Sequence, residues 1–275
     1  MSTWINGRRR ESIDYRDRGL QYGDGVFETL RIRGGGVRLL EYHLDRLYAG
    51  CRRLKIEAPA RHEMRRELQH TGSLRKEAVL KLIITRGVGR RGYRPTGLER
   101  CTRILSLHSL PKGLLAQSAT PVRVRMCATT LGLNPELAGL KTLNRLESVM
   151  ARAEWRDARI WEGLMQDADD NIVCGTMSNL FLRRGRTLMT PVLDRCGVAG
   201  VMRRWILETA GQLDLRTVER RIRRRDLQEA EEVFMTNSLV GVRSVSSLPL
   251  SRGTGLMRLT HFETAERLRA LLDRL

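Results

Sequence analysis

The stretch Ala138-Gly139-Leu140-Lys141-Thr142-Leu143-Asn144-Arg145-Leu146-Glu147 decides how this chain reads. Of the 50 basic residues only five are lysine, so a lysine here runs against a strong arginine bias. Lys141 follows a loop running from Asn134-Pro135 to Gly139. It precedes Leu143, Leu146, Val149 and Met150, whose spacing predicts a helix. A desolvated lysine can shed its proton, and the neutral amine can form a Schiff base; arginine does neither. A lone lysine at a helix start is more often simply solvated, so the rest of the chain has to decide.

At 275 residues the chain has room for one large or two modest domains with a proper core. The beginning Met1-Ser2-Thr3-Trp4-Ile5 carries no apolar segment of the signal-peptide kind. No apolar run approaches the ~20 residues that span a bilayer. Five cysteines, at 51, 101, 127, 174 and 196, form no C-x-x-C pair, which argues against a disulfide framework or a zinc site and for a reducing cytoplasm. A formal charge of +19 raises nucleic acid as a partner. The arginines are scattered, however, and the densest run, 220–225, lacks aromatics for base stacking. A solvated arginine surface with no specific nucleic acid, and no membrane, is the expectation.

Strand-like and helix-like segments alternate. Strands are expected at Val26–Ile32, Val37–Leu40, Ala78–Thr85, Thr102–His108 and Val122–Cys127, then at Gly163–Gln166, Met177–Leu182, Thr187–Thr190 and Val233–Thr236. Leu44, Leu47, Tyr48 and Cys51 fall at helical spacing, Gly200 opens a helix, and His261–Leu275 is a terminal one. Pro111 to Pro121 reads as a linker. The division is a small N-terminal α/β domain over 1–112, a linker over 113–121, and a larger C-terminal domain over 122–275. The class is α/β, or α+β with mixed sheets; the regular rhythm of a TIM barrel is absent.

Four further segments can carry chemistry. Gln21-Tyr22-Gly23-Asp24-Gly25-Val26-Phe27-Glu28-Thr29 is a glycine-punctuated turn entering a strand. Thr85-Arg86-Gly87-Val88-Gly89-Arg90-Arg91-Gly92-Tyr93 is a basic loop whose guanidinium forks suit a carboxylate. Gly197-Val198-Ala199-Gly200-Val201-Met202-Arg203 feeds a helix, where exposed amides and the positive helix end favour an anion. Phe234-Met235-Thr236-Asn237-Ser238 is a strand running into small polar donors. Each alone is also an ordinary turn, loop or strand end. A Schiff-base lysine, two phosphate-capable junctions and a carboxylate loop together are the parts of a pyridoxal phosphate enzyme.

On these motifs the chain resembles the fold-type IV pyridoxal phosphate enzymes, which include D-amino acid and branched-chain aminotransferases and 4-amino-4-deoxychorismate lyase. The resemblance runs from Trp4-Ile5-Asn6-Gly7 to Thr236-Asn237-Ser238 and is closest to the lyase. D-amino acid aminotransferases tend to carry Arg-x-His where this chain has Arg91-Gly92-Tyr93. The resemblance implies the two-domain D-amino acid aminotransferase-like architecture with a barrel-like second sheet, a homodimer, and a site between the domains. It implies pyridoxal 5'-phosphate held covalently by Lys141, with Arg46, Val201, Met202, Thr236 and Asn237 around its phosphate. Arg91 and Tyr93 would face substrate carboxylates, and Thr29 the leaving group. The small-molecule substrate would be 4-amino-4-deoxychorismate, split to 4-aminobenzoate and pyruvate for folate synthesis. The alternatives are a fold-type IV aminotransferase acting on D- or branched-chain amino acids and a catalytically inactive basic homologue with a binding role.

One position departs from the family pattern. Counting back from Ser178-Asn179-Leu180-Phe181, the family places a glutamate beside the cofactor's ring nitrogen, and here it is Cys174. A carboxylate makes a charge-assisted bond about twice as strong as a neutral one, whereas a thiol is a weak donor. The ring is then a poorer electron sink, which disfavours transamination more than an elimination driven by aromatisation.

Overall fold

A computed structural model describes residues 2–111, 120–249 and 255–275. Most of the expected linker therefore lies outside the described residues. The chain forms two compact units, one of Met1–Lys112 with Leu140–Asn144, the other of Gly113–Gly139 with Arg145–Leu275.

The first unit contains β1 (Ser2–Ile5), β2 (Arg8–Arg9), β3 (Gly25–Arg33), β4 (Gly36–Val37), β5 (Glu77–Thr85) and β6 (Thr102–His108) in one sheet, ordered β2-β1-β6-β5-β3-β4. Every pairing in it is antiparallel. Alternation puts Val26, Leu30 and Ile32 on one face of β3. Leu44, Leu47 and Cys51 of the helix Leu40–Leu54, and Met64 and Leu68 of the helix Arg61–Ser73, join them in one core. The expected strand Val37–Leu40 is shorter than the pattern suggests. Leu39 turns into a left-handed conformation (φ 54°) and Leu40 already begins the helix.

The second unit holds β7 (Val122–Leu131), β8 (Ile160–Asp167), β9 (Ile172–Gly175), β10 (Asn179–Arg184), β11 (Thr187–Pro191), β12 (Arg216–Arg220), β13 (Glu232–Asn237), β14 (Gly241–Pro249) and β15 (Leu256–Arg258). Their order is β12-β11-β10-β13-β14-β7-β8-β9, with β15 beside β14. Parallel pairs (β7 with β8 and β14, β11 with β12) mix with antiparallel ones, so the sheet is mixed as expected. Ile172 of β9 donates to Ile222, just past β12, at 2.7 Å. That bridge joins the two ends of the sheet and curls it into the barrel-like form.

One local expectation fails and another is met with a later start, each for an identifiable reason. The strand expected at Met177–Leu182 starts only at Asn179. Thr176, Met177 and Ser178 instead turn around the buried Glu162 carboxylate, which accepts from Thr176 Oγ1 and Ser178 Oγ at 2.6 Å each. The helix after Lys141 begins at Leu146, and its apolar stripe faces outward. Leu146 is 77%, Val149 61% and Met150 61% exposed, and only Ala151 of this helix is buried. Among the described residues no helix is long and apolar enough to cross a membrane.

Candidate active site

β3 organises the site residues of the first unit. Lys141 enters as a short rung beside it: Phe27 N–H donates to Lys141 O at 3.0 Å, Leu143 N–H to Gly25 O at 3.0 Å, and Val26 bridges Thr142. Gly25 is forced by this approach, because a Cβ there would lie 2.5 Å from Ile84 O and 2.8 Å from the Leu143 side chain. The Lys141 ammonium sits 4.1 Å from the centre of the Phe27 ring. Thr29, two residues along, points to the same face of the strand as Phe27. Lys141 Nζ and the Phe27 ring meet, and Thr29 follows on the same side of the strand.

The opposite face of β3 carries a residue the sequence reading missed. Glu28 is 1% exposed and accepts from Arg46 Nε at 2.7 Å and Arg46 Nη2 at 2.5 Å, with His43 Nδ1 at 2.6 Å. His43 and Arg46 lie three residues apart on the helix Leu40–Leu54, hence on one face. Burial alone would raise the Glu28 carboxyl, but the Arg46 and His43 charges and bonds hold it at about 2. Arg46 is therefore fixed by an ionised carboxylate along one edge of its guanidinium. The signal in the sequence was a glutamate at an inward position of a strand, followed by His43-Leu44-Asp45-Arg46.

His43 gives this cluster a pH dependence. Burial lowers its pKa from the usual 6.5, and the nearby Arg46 and Lys141 charges add to that against the pull of Glu28. The unfolded chain then binds the proton more readily, so stability falls as pH drops below about 6.5. Glu28 acts in a lower window: its contribution is complete above its ordinary pKa of 4.5 and is lost as pH falls toward about 2. The His43→Gln variant is expected to lose less stability than wild type between pH 6.5 and 5 in thermal melts. Equal slopes would remove His43 as a source.

Arg91 and Tyr93 lie on an exposed loop, Tyr93 at 85% exposure. Arg86, counted in the same basic loop, is instead structural. It is bonded to Asp24 at 2.7 and 3.0 Å and to the Leu54 and Lys55 carbonyls at 2.7 Å each.

The second unit positions the other candidates. The helix Val201–Thr209 starts at Gly200 without a side-chain cap, so the amides of Val201 and Met202 are the open donors that every helix start leaves. Gly200 must be bare: a Cβ would lie 2.0 Å from Asn179 Oδ1, while Asn179 Nδ2 holds Val198 O at 2.9 Å. Thr236 is fully buried on β13, and its hydroxyl has no hydrogen-bond partner among the described residues. An orphaned buried hydroxyl suits an anion with acceptor oxygens. Asn237 is partly spent already, its Oδ1 accepting from Leu239 and Val240 N–H at 3.0 Å each.

Cys174 sits on β9 in an apolar cluster with Met165, Cys127 and Cys196, 8% exposed. Burial, with Cys196 and Glu162 nearby, pushes its thiol well up against the opposing pull of Arg145. It is a neutral thiol. Asp169 and Asp170 belong to a turn, Asp170 at φ 62° and Asp169 paired to Arg195.

Residues 25–248 match the family described as Amino-transferase class IV. The chain is 35% identical to an aminodeoxychorismate lyase of Vibrio harveyi, covering 89% of this chain and 90% of that one. It is 32% identical to a putative branched-chain-amino-acid aminotransferase of Methanocaldococcus jannaschii over 86% and 84%. A solved 4-amino-4-deoxychorismate lyase from Pseudomonas aeruginosa superposes with a TM-score of 0.89 at 42% identity, covering 99% and 98%. A pinned lysine, an ion-paired arginine and a bare helix start thus stand in a chain that belongs to the class IV aminotransferase family.

Proposed function

We propose that this protein is an aminodeoxychorismate lyase, converting 4-amino-4-deoxychorismate to 4-aminobenzoate and pyruvate with pyridoxal 5'-phosphate. The observation that carries it is the Lys141 amine, held over Phe27, in a chain similar to lyases along nearly its full length. The residues present fit the cofactor. In the first unit Lys141 would supply the amine that holds it and Arg46 a charge for its phosphate; in the second the Val201 and Met202 amides, the Thr236 hydroxyl and Asn237 would add donors. Bound there, the cofactor supplies an electron sink for breaking the C–H bond beside the substrate nitrogen.

The chain's own residues do the rest. Lys141 Nζ would take the proton from C4 of the substrate ring. The Thr29 hydroxyl would stand toward the ether oxygen at C3, and the departing enolpyruvate takes up the proton that Lys141 received, leaving as pyruvate. Arg91 and Tyr93 bind the carboxylates, a charge-assisted role for the guanidinium. Loss of the C4 proton and the C3–O bond leaves an aromatic ring, which makes the step effectively one-way.

The test is pyruvate release from aminodeoxychorismate, run beside amino transfer to 2-oxoglutarate. Rapid pyruvate with negligible transfer is expected; the reverse would assign an aminotransferase instead. Cys174 has its own check. Cys174→Glu is expected to shift the absorbance of the bound cofactor and raise amino transfer, since a carboxylate strengthens the electron sink. An unchanged spectrum and lyase rate would remove Cys174 from the site.

A homodimer is part of the proposal, because the outward stripe Leu146, Val149 and Met150 is an apolar face that a second copy would cover. A monomer by sedimentation would exclude it. Five unpaired cysteines, four of them buried, suit a cytoplasmic enzyme of folate synthesis.

A further inference from the structure

We propose that Arg18 and Tyr22 are positioning residues that hold the Arg91–Tyr93 loop in place for carboxylate binding, and so set substrate affinity. The identity of that substrate rests on the lyase reading; the clamp itself rests on geometry within the first unit.

Arg18 is 3% exposed, yet its guanidinium is spent largely on a loop. Nη1 donates to Gly92 O and Nη2 to Tyr93 O, each at 2.8 Å, while Nε donates to Asp24 Oδ2 at 2.9 Å. Three donors in one rigid plane fix three acceptors at once, which a lysine cannot do. Tyr22 closes the other side. Its hydroxyl accepts from Gly92 N–H at 3.2 Å, and its ring lies 4.8 Å from the Arg18 guanidinium carbon and 5.4 Å from the Tyr93 ring. Gly92 adopts φ 101°, a conformation that favours glycine.

The loop side chains gain little order from packing, since Arg91 and Tyr93 are exposed. Their placement depends on the backbone, and Arg18 and Tyr22 hold that backbone at three polar groups. Asp24 carries the constraint further. It also binds Arg86, which ties to Leu54 O and Lys55 O at the end of the helix bearing His43 and Arg46. The carboxylate loop and the phosphate arginine are thereby referenced to one frame.

The experiment compares holoenzyme of wild type, Arg18→Lys and Tyr22→Phe. Arg18→Lys is expected to raise KM for aminodeoxychorismate about tenfold or more, the effect of losing a charge-assisted hydrogen bond. Its kcat and cofactor absorbance should stay near wild type, because neither residue meets the reacting atoms. Tyr22→Phe should raise KM about threefold, as for a weaker neutral bond. Trypsin reads the loop without turnover: cleavage after Arg90 or Arg91 should be faster in both variants, and chorismate, a ring dicarboxylate lacking the amine, should protect wild type best. Unchanged KM in both variants, or equal protection by chorismate, would overturn the proposal. So would a parallel fall in kcat, cofactor content and melting temperature, which marks a purely structural role. Absence of pyruvate release by wild type would sink the lyase reading instead, leaving trypsin protection to decide the clamp.

Discussion

Lys141→Ala is expected to abolish pyruvate release, by at least about a thousandfold, with the melting temperature of the apoprotein nearly unchanged. The separation of chemistry from stability follows from how Lys141 is held. Its backbone is pinned to β3 through Lys141 O and the Leu143 amide, and neither bond involves the side chain. Removing the side chain gives up its contact with the Phe27 ring, about 0.5–1 kcal/mol for a partly exposed site. Lys141→Arg is the sharper variant. It keeps the positive charge over Phe27, but a guanidinium neither gives up its proton nor forms an imine. Both variants should lose the borohydride-fixable attachment of the cofactor, read by absorbance and by mass after reduction. Pyruvate release that survives in either would overturn the assignment of Lys141.

Glu28→Gln is expected to be the most damaging change that touches no reacting atom. Glu28 and Arg46 form a buried pair, with side chains 2% and 12% exposed. Breaking such a pair from one side costs about 3–5 kcal/mol, because the remaining charge keeps its desolvation penalty without its partner. In a chain of this size that corresponds to a fall in melting temperature of roughly 6–20 °C. The amide can still bond to His43, so the loss concentrates on Arg46. Cofactor retention should fall with stability, and dialysis against buffer without pyridoxal phosphate should strip the variant before wild type. A variant that melts with wild type and keeps its cofactor would show that Arg46 is set by something other than Glu28.

Much of this fold was legible because its strands are apolar and bounded by glycine or polar turns. Thr102–His108 is found as read, and Ala78–Thr85 lengthens by one residue. The helix Arg61–Ser73 was not legible, since only Met64 and Leu68 in it are large and apolar. Those two, four residues apart, are buried at 0% and 1%, enough to seat a helix but too few to announce one. β14 was missed for a related reason: Ser244, Ser246 and Ser247 interrupt its apolar pattern, though Ser244 is 1% exposed.

The site divides the same way. Lys141 could be singled out by rarity and by its loop. Glu28 and Glu162 could not, because an acidic residue in a strand is ordinarily read as facing water. Their roles depend on partners distant in sequence, Arg46 in one case and the turn at Thr176–Ser178 in the other. The Leu146, Val149 and Met150 stripe shows the converse: helical spacing told of an apolar face but not of its direction.

The rung that carries Lys141 has a consequence for synthesis on the ribosome. The first unit is built from residues up to Lys112 and then completed by Leu140–Asn144. As the chain emerges, its sheet can assemble early, but the edge of β3 that receives Lys141 waits for a segment translated much later. A contiguous fragment cut at the end of that sheet therefore lacks Lys141. Lys141 arrives with the last segment of its own unit, so its amine cannot be in place before the strand framework beneath it has been made.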